Sequence, residues 1–479
     1  MTSNDKPTKL TYWLALVLVA VAVRIVVAFG LFGDLSQISD ALCYADQARH
    51  MVAGTWNYPN FWPAGRSIAL VPFFWAFGTS EAVVKANAIT FDIGCVLMAA
   101  VLGHIVLRKR SAARLTGWIA VVYPPMVMLS GCSYTNNVTM LSMLLFSSLA
   151  IVACRTCLKN KFASLAAWFV SGCALGCAIL NRPSAQTVLF FAGVCWIGLM
   201  IVRWAKPRLV RFAEHVSWKM LWGSGIVFLL GLLGCVFPVL KHNASLNAGW
   251  VLSVNNEMNC LLGNNPYTPH YKTWQFGQGH AFVRPEFQTY MSSFRGKNVP
   301  RSAMIREAIR YICERPDIFL LRTVNRIRAF WGFEYEASGN VHEQWAASSG
   351  GEMTRWKKAE ASALFCAEAG GYCLVMCLAI AGLFLFRKGM DGRFVAFFIA
   401  IIFAYQLPYA ITHCNGRFHT PLMGFIFCFA ALALDEARLG RAAGWPALIK
   451  KTWYWVAIIV FFLVQIEYAY WVLAYHGVS

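Results

Sequence analysis

Asp40 stands one residue after a helix-start signal at Ser39, and the carboxylates near it are few: Asp34, Asp46 and Glu81. A general base must be a carboxylate or histidine that reaches the proton it removes, and Asp40 is the best placed of these acids. Cations outside the basic connections and one long polar segment are equally scarce, namely Arg24, Arg49, Arg66, Lys85, Arg182 and Arg417. Arg182 and Arg417 lie in compact polar breaks, Asn181-Arg182-Pro183 and His413-Cys414-Asn415-Gly416-Arg417, where a guanidinium at the end of a membrane span meets an anionic group at headgroup depth. Arg322 and Arg326 are i and i+4 neighbours on one helical face and suit a phosphate equally well. Two plainer readings stay open: each arginine also fits snorkelling to lipid phosphates, and Asp40 also fits a partner of its helix dipole.

These residues are carried by an apolar chain. Of its 479 residues 58% are hydrophobic, 15% aromatic and only 13% charged, which excludes an ordinary soluble domain and a disordered or collagen-like chain. Runs long enough to cross about 30 Å of hydrocarbon as helix fall near 11–33, 86–107, 115–131, 135–154, 163–180, 184–202, 220–240, 368–386, 394–412, 419–434 and 453–473, about eleven spans. Ile68 to Gly78 is too short to cross and reads as an interfacial helix. With a cytoplasmic N-terminus, 21 of the 42 Lys and Arg residues fall in the cytoplasmic connections. The net charge of +20 is therefore topological, and nucleic acid is not an expected partner. Sixteen Cys lie mostly inside apolar runs as small hydrophobes. The fold class expected is an all-α polytopic membrane protein with interfacial helices and a mixed extracytoplasmic segment.

Two outer segments carry the polar residues. In the first, 34–66, a helix opens with Ser39 as N-cap, places Asp40 in its first turn and stops at Gly54, with Leu42, Ala45, Ala48 and Val52 as a membrane-facing stripe. Aromatic and Pro residues follow it, Trp62 among them. The second, 241–367, is too long for a bare connection and is expected to fold as a small outer domain, with helices over Arg301–Arg315 and Asp317–Trp331. The chain thus divides into an N-terminal transmembrane module, 1–240, with its functional loop at 34–66, the outer segment 241–367, and C-terminal spans 368–479. No Gly-rich phosphate loop or HExxH motif is present. The spans hold few acids, Asp92 chief among them, and neither intramembrane charge pairs nor paired broken helices are evident in the sequence, which disfavours a lipid or glycan transporter or flippase, the alternative class.

Several stretches in order resemble the bacterial members of the C-type (GT-C) glycosyltransferase superfamily, the integral membrane enzymes related to protein O-mannosyltransferases and to the lipid A aminoarabinose transferase. They are Asp40, Tyr44, Ala48 and Gly54 followed by WPAGRSIALVPFFWAFG, then GCAILNRP at 176–183, LGNNP at 262–266, AIRYICERP at 308–316 and RFHTP at 417–421. The resemblance implies a polyprenyl-phosphate sugar donor, a glycan, lipid or protein acceptor, and catalysis on the extracytoplasmic side of a bacterial cytoplasmic membrane. It gives Asp40 the role of base and leaves the donor phosphate to Arg182 and Arg417, with Arg66, Lys85, Arg322 and Arg326 as further candidates. Tyr44, Trp62, Asn264, Asn265 and His413 are the expected substrate contacts, and Tyr267, Tyr271 and Trp274 are candidates for stacking on sugar faces. Where many relatives carry an acid at the start of the fourth span, this chain has Ser133-Tyr134-Thr135-Asn136-Asn137, so no metal and no other cofactor is expected. A single well-placed carboxylate suits single displacement with inversion.

Overall fold

The computed structural model describes residues 9–33, 35–37, 39–205, 217–268, 285–294, 302–348, 354–438 and 445–476. Within them the secondary structure is helical apart from one isolated bridge between Leu107 and Met390. The helices, numbered in chain order, are α1 (Leu10–Ile25, continued by a π turn Val26–Leu31), α2 (Ser39–Val52), α3 (Gly65–Phe77), α4 (Glu81–Val106), α5 (Arg110–Val122), α6 (Pro124–Leu129), α7 (Thr135–Thr156), α8 (Lys161–Asn181), α9 (Gln186–Ala205) and α10 (Trp218–Ser245). The outer segment supplies α11 (Asn256–Gly263), α12 (Pro285–Ser292), α13 (Ser302–Glu314), α14 (Pro316–Phe330) and α15 (Glu336–Ser348). The last group is α16 (Arg355–Leu385), α17 (Gly392–Ile411), a 3-10 stretch Gly416–Leu422 leading into α18 (Met423–Arg438), α19 (Trp445–Ile449) and α20 (Thr452–His476).

Among the described residues ten helices are long and apolar enough to cross a membrane, so the chain is an all-α polytopic membrane protein. The eleventh expected span, 115–131, is broken: α5 ends at Val122 and α6 begins at Pro124. Geometry nonetheless requires these residues to cross. Lys85, at the start of α4, bonds to Phe32 and Gly33 beside the first outer segment, and Asn136, at the start of α7, lies against Arg417, itself paired with Asp40. Both helices begin at the same end of the bundle, so the chain between them must return across the thickness that α4 traverses.

The break has a defined backbone cost and a defined remedy. Pro124 and Pro125 lack the N–H groups that would bond the carbonyls of Ala120 and Val121, and no water reaches a bundle interior to replace them. Arg24, fully buried on α1, donates to both, at 3.1 Å to Ala120 and 3.0 Å to Val121. Asp92 on α4 pairs with the same guanidinium and neutralises it. An intramembrane charge pair therefore exists, contrary to the sequence expectation, and it closes a helix break. Pro408 in α17 repeats the pattern: the carbonyl of Ala404, which it leaves without a donor, accepts from Thr187 Oγ1 at 2.6 Å.

Other details differ from expectation. Ser39 is the first residue of α2 with φ +52, not an extended cap, and Leu42 is exposed while α2 buries Ala41, Tyr44, Ala45, Gln47 and Ala48. This rotates the buried face toward α3, where Ala45 and Ala48 pack with Leu70 and Phe74. Gly54 does end the helix, at φ +68. The described part of the outer segment is helical and has a small core of Leu261, Leu262, Phe287, Met291 and Ala308. The last group of spans begins at Arg355, ahead of the expected 368.

Two outcomes follow. Arg24→Met strands the Asp92 carboxylate and both carbonyls, and should lower stability by about 3–5 kcal/mol in detergent-solubilised protein, more than Arg24→Met with Asp92→Leu; unfolding curves that superimpose on wild type would contradict the role. For sidedness, Cys414 and Cys157 are buried and make poor probes, whereas Thr55 and Lys159 are exposed. Thr55→Cys should react with an impermeant thiol reagent in intact spheroplasts and Lys159→Cys only after permeabilisation; the reverse pattern would invert the topology.

Candidate active site

Asp40 is held in the first turn of α2 by a partner from the far end of the chain. Arg417 Nη2 donates to Asp40 Oδ2 at 2.7 Å, and its Nη1 donates to Glu336 Oε1 at the same distance. The guanidinium lies 4.9 Å from the ring centroid of Tyr134. Asp40 keeps 23% of its side-chain surface exposed, so a substrate hydroxyl can reach it. Ser39, directly before it, holds a left-handed backbone that residues other than glycine rarely adopt, which fixes how the chain enters the helix.

Arg417 and Glu336 are themselves positioned from behind. The main-chain N–H groups of Ala337 and Ser338, at the start of α15, donate to Glu368 of α16 at 3.2 and 2.9 Å, which sets the turn that presents Glu336. Glu334 accepts from Thr420 Oγ1 at 3.0 Å and from the Tyr123 hydroxyl at 3.2 Å, and lies 3.2 Å from His419 Nε2. His419 and Thr420 flank the turn that carries Arg417, so this buried cluster fixes the arginine's backbone. None of Glu334, Glu336 and Glu368 was singled out from sequence. The run Phe333-Glu334-Tyr335-Glu336, two acids in an aromatic stretch directly after a helix, is the signal that could have found them.

A second cluster gathers at the N-terminus of α7. Arg182 donates to Thr135 Oγ1 at 3.1 Å, to Asn136 Oδ1 and to the Tyr409 hydroxyl at 3.3 Å, with its guanidinium 4.9 Å from the Phe418 centroid. Arg66 donates to Ser133 Oγ at 3.1 Å and Asn87 Oδ1 at 2.6 Å, while its Nη2 has no partner among the described residues. Burial pushes Arg66 down to about 9, still protonated at neutral pH. Gly65 makes this approach possible, because a Cβ there would lie 2.6 Å from the Leu180 carbonyl carbon and 2.7 Å from Asn181. The polar stretch Ser133–Asn137 is thus the seat of two arginines. Every hydrogen-bond acceptor of Arg66 and Arg182 among the described residues is a neutral oxygen. Helix N-termini carry partial positive charge and unpaired N–H groups, so the cluster suits an anion.

The remaining candidates divide. His413 packs edge-on to Phe418, and burial together with Arg326, Arg182 and Arg417 pushes it down to about 3, so it is neutral at physiological pH. Tyr44 is buried, meets Trp62 edge to face at 6.2 Å, and has its hydroxyl pushed up by burial and by Asp40. A small cavity of about 30 Å³ lies beside the network, lined by Ala41, Lys85, Tyr134, Asn340 and Gln344 among others. Lys85, Arg322 and Arg326 are not brought to either cluster. Lys85 donates to the carbonyls of Ala28, Phe32 and Gly33, where the first span ends. Arg322 donates to the carbonyls of Asn265 and Thr268, and Arg326 to those of Gly263, Ala410 and Ile411. Asn264 and Asn265 close the same turn through main-chain groups. The physical reason is common to all five: chain ends buried away from water need donors and acceptors, and these side chains supply them. Tyr271 and Trp274 lie outside the described residues.

No family model matches the chain, and no curated protein matches its sequence. Solved structures of membrane glycosyltransferases are similar to it. ArnT from Cupriavidus metallidurans, bound to undecaprenyl phosphate, is 14% identical over 91% of this chain and 79% of that one, with a TM-score of 0.41. The Pmt1-Pmt2 protein O-mannosyltransferase complex of S. cerevisiae, bound to the sugar donor, is 15% identical over 57% of this chain at a TM-score of 0.37. The archaeal oligosaccharyltransferase AglB from Archaeoglobus fulgidus, in complex with an inhibitory peptide and a dolichol-phosphate, is 12% identical over 95% of this chain at a TM-score of 0.45. The chain spans only 39% of the yeast protein and 55% of the archaeal one. These are likenesses in outline, and any assignment of chemistry rests on the side chains described above.

Proposed function

We propose that the protein is a membrane glycosyltransferase that moves a sugar from a polyprenyl-phosphate donor to a hydroxyl of an envelope acceptor, on the extracytoplasmic face of a bacterial cytoplasmic membrane. The observation that carries this reading is a reachable carboxylate, Asp40, together with two guanidiniums, the buried Arg66 and the half-buried Arg182, whose hydrogen-bond acceptors among the described residues are all neutral.

Displacing a phosphate from an anomeric carbon needs a base on one side and cations on the other. Asp40 takes the proton of the acceptor hydroxyl as its oxygen attacks the anomeric carbon. The C–O bond to phosphate breaks, and the leaving phosphate keeps the electron pair. Arg182, Arg66 and the N-terminus of α7 stabilise that charge in a site of low dielectric. Arg417 orients Asp40, and Glu336 keeps Arg417 from pairing with Asp40 alone. One base and one displacement give inversion at the sugar. The ligands bound to the similar structures, undecaprenyl phosphate in ArnT and dolichol-phosphate with an inhibitory peptide in AglB, agree in kind with such a site.

A transporter of lipid or glycan is the second reading, and the buried Arg24–Asp92 pair is the observation that favours it. The hydrogen bonds from Arg24 to Ala120 and Val121 give that pair a structural task, which leaves no charge in it for coupling.

With purified protein and a polyprenyl-phosphate sugar, Asp40→Asn should cut transfer by about 10² to 10⁴ while expression holds, since general-base assistance is typically worth that much. Asp46→Asn is the control, because Asp46 pairs with Arg49 at the surface. An active Asp40 variant and a dead Asp46 variant would sink the assignment. Arg182→Ala and Arg66→Ala should each raise the donor concentration needed for half-maximal rate far more than the acceptor concentration. Lysine at 182 should rescue only in part, because a point charge lacks the planar fork of a guanidinium. Unchanged donor dependence in both alanine variants would return these residues to a structural role.

A further inference from the structure

Helix α14 is built inside out for a water-facing domain. Its row Leu320, Leu321, Val324 and Ile327 is exposed, Leu320 and Val324 at 63% each, while Arg322 and Arg326 on the opposite side are 1% exposed. In water the hydrophobic effect would turn the apolar row inward and leave the guanidiniums outside. Here the arginines bond to main-chain carbonyls of 263–268 and of the last turn of α17. Charged residues bound the exposed row at its ends. Arg315 pairs with Asp317 at the start of the helix, and Arg328 with Glu467 of α20 at its end, at 2.8 and 2.9 Å.

The row also continues the exposed apolar surface of a helix long and apolar enough to cross the membrane. The spanning helix α17 exposes Ile399, Phe403 and Ile411, and Arg326 Nη1 donates to the Ile411 carbonyl at 2.8 Å, which fastens α14 to that end of the span. The preceding helix α13 exposes Ile305, Ile309 and Cys313 at successive i+4 positions. Beside that stripe Arg310 is paired with Glu307 and Glu314. An apolar stripe flanked by a charged one is the pattern of a helix lying in a membrane interface.

We propose that α13 and α14 lie in the leaflet on the Asp40 side, with Leu320, Leu321, Val324 and Ile327 packed against the acyl chains of bulk phospholipid. Residues 302–330 are then a membrane-lying part of the transmembrane body. The inference rests on the spans and not on the proposed chemistry.

The test places benzoylphenylalanine, itself apolar, at 320 or 324 of the full chain reconstituted in liposomes of dioleoylphosphatidylglycerol, followed by irradiation and intact mass measurement. Position 403, on the lipid face of α17, and position 310, on the charged side of α13, are the comparators. Lipid adducts at 320 and 324 should match those at 403 and exceed those at 310 by about tenfold, as expected of hydrocarbon against interface water. Yields at 320 and 324 no higher than at 310, with 403 labelled, would overturn the proposal. Cross-linking of 320 or 324 to a second polypeptide in place of lipid would overturn it equally.

Discussion

The Arg417 guanidinium, shared between Asp40 and Glu336, is the interaction on which the site depends. It joins the first outer segment, the long outer segment and the C-terminal spans, three stretches that share no other such ion pair among the described residues. Removing the guanidinium would leave both carboxylates without the cation they share. The supports behind it follow from that demand. Glu368 sets the first turn of α15, and Glu334 with His419 and Thr420 sets the turn that carries Arg417.

Arginines and lysines at membrane depth serve here in two ways. Arg24, Lys85, Arg322 and Arg326 donate to carbonyls where a helix breaks or a chain end is buried, so their charge compensates for missing backbone hydrogen bonds. Among the described residues Arg66 and Arg182 instead donate to side-chain oxygens of neutral groups, beside the N-terminus of α7. The first group is stabilised by what it holds together. The second carries positive charge with no carboxylate to offset it, and an anionic ligand would relieve that imbalance. The low-dielectric surroundings that make the imbalance costly also make it effective toward a phosphate.

Much of the fold was legible because a span announces itself by length and apolarity. The interfacial α3, the start of α14 at Pro316 and the position of Asp40 were legible for similar local reasons. The break at Tyr123-Pro124 was hidden by its uniformly apolar neighbours. Arg322 and Arg326 were misread because an i, i+4 basic pair looks the same whether it faces phosphates or carbonyls; only the tertiary position of residues 263–268 and 410–411 decides. Glu336 was missed because its importance lies in a partner 81 residues away, and spacing does not encode such a contact. Arg66 was named from sequence, but its proximity to Arg182 depends on how closely Gly65 lets α3 approach α8.

The central claim is that this membrane protein consumes a polyprenyl-phosphate sugar. Mass spectrometry of envelope lipids and glycans from cells with and without the protein tests it most directly. The account predicts that one sugar disappears from an envelope acceptor while its polyprenyl-phosphate donor accumulates. An unchanged sugar inventory, or accumulation of a finished glycolipid that has not crossed the membrane, would contradict it.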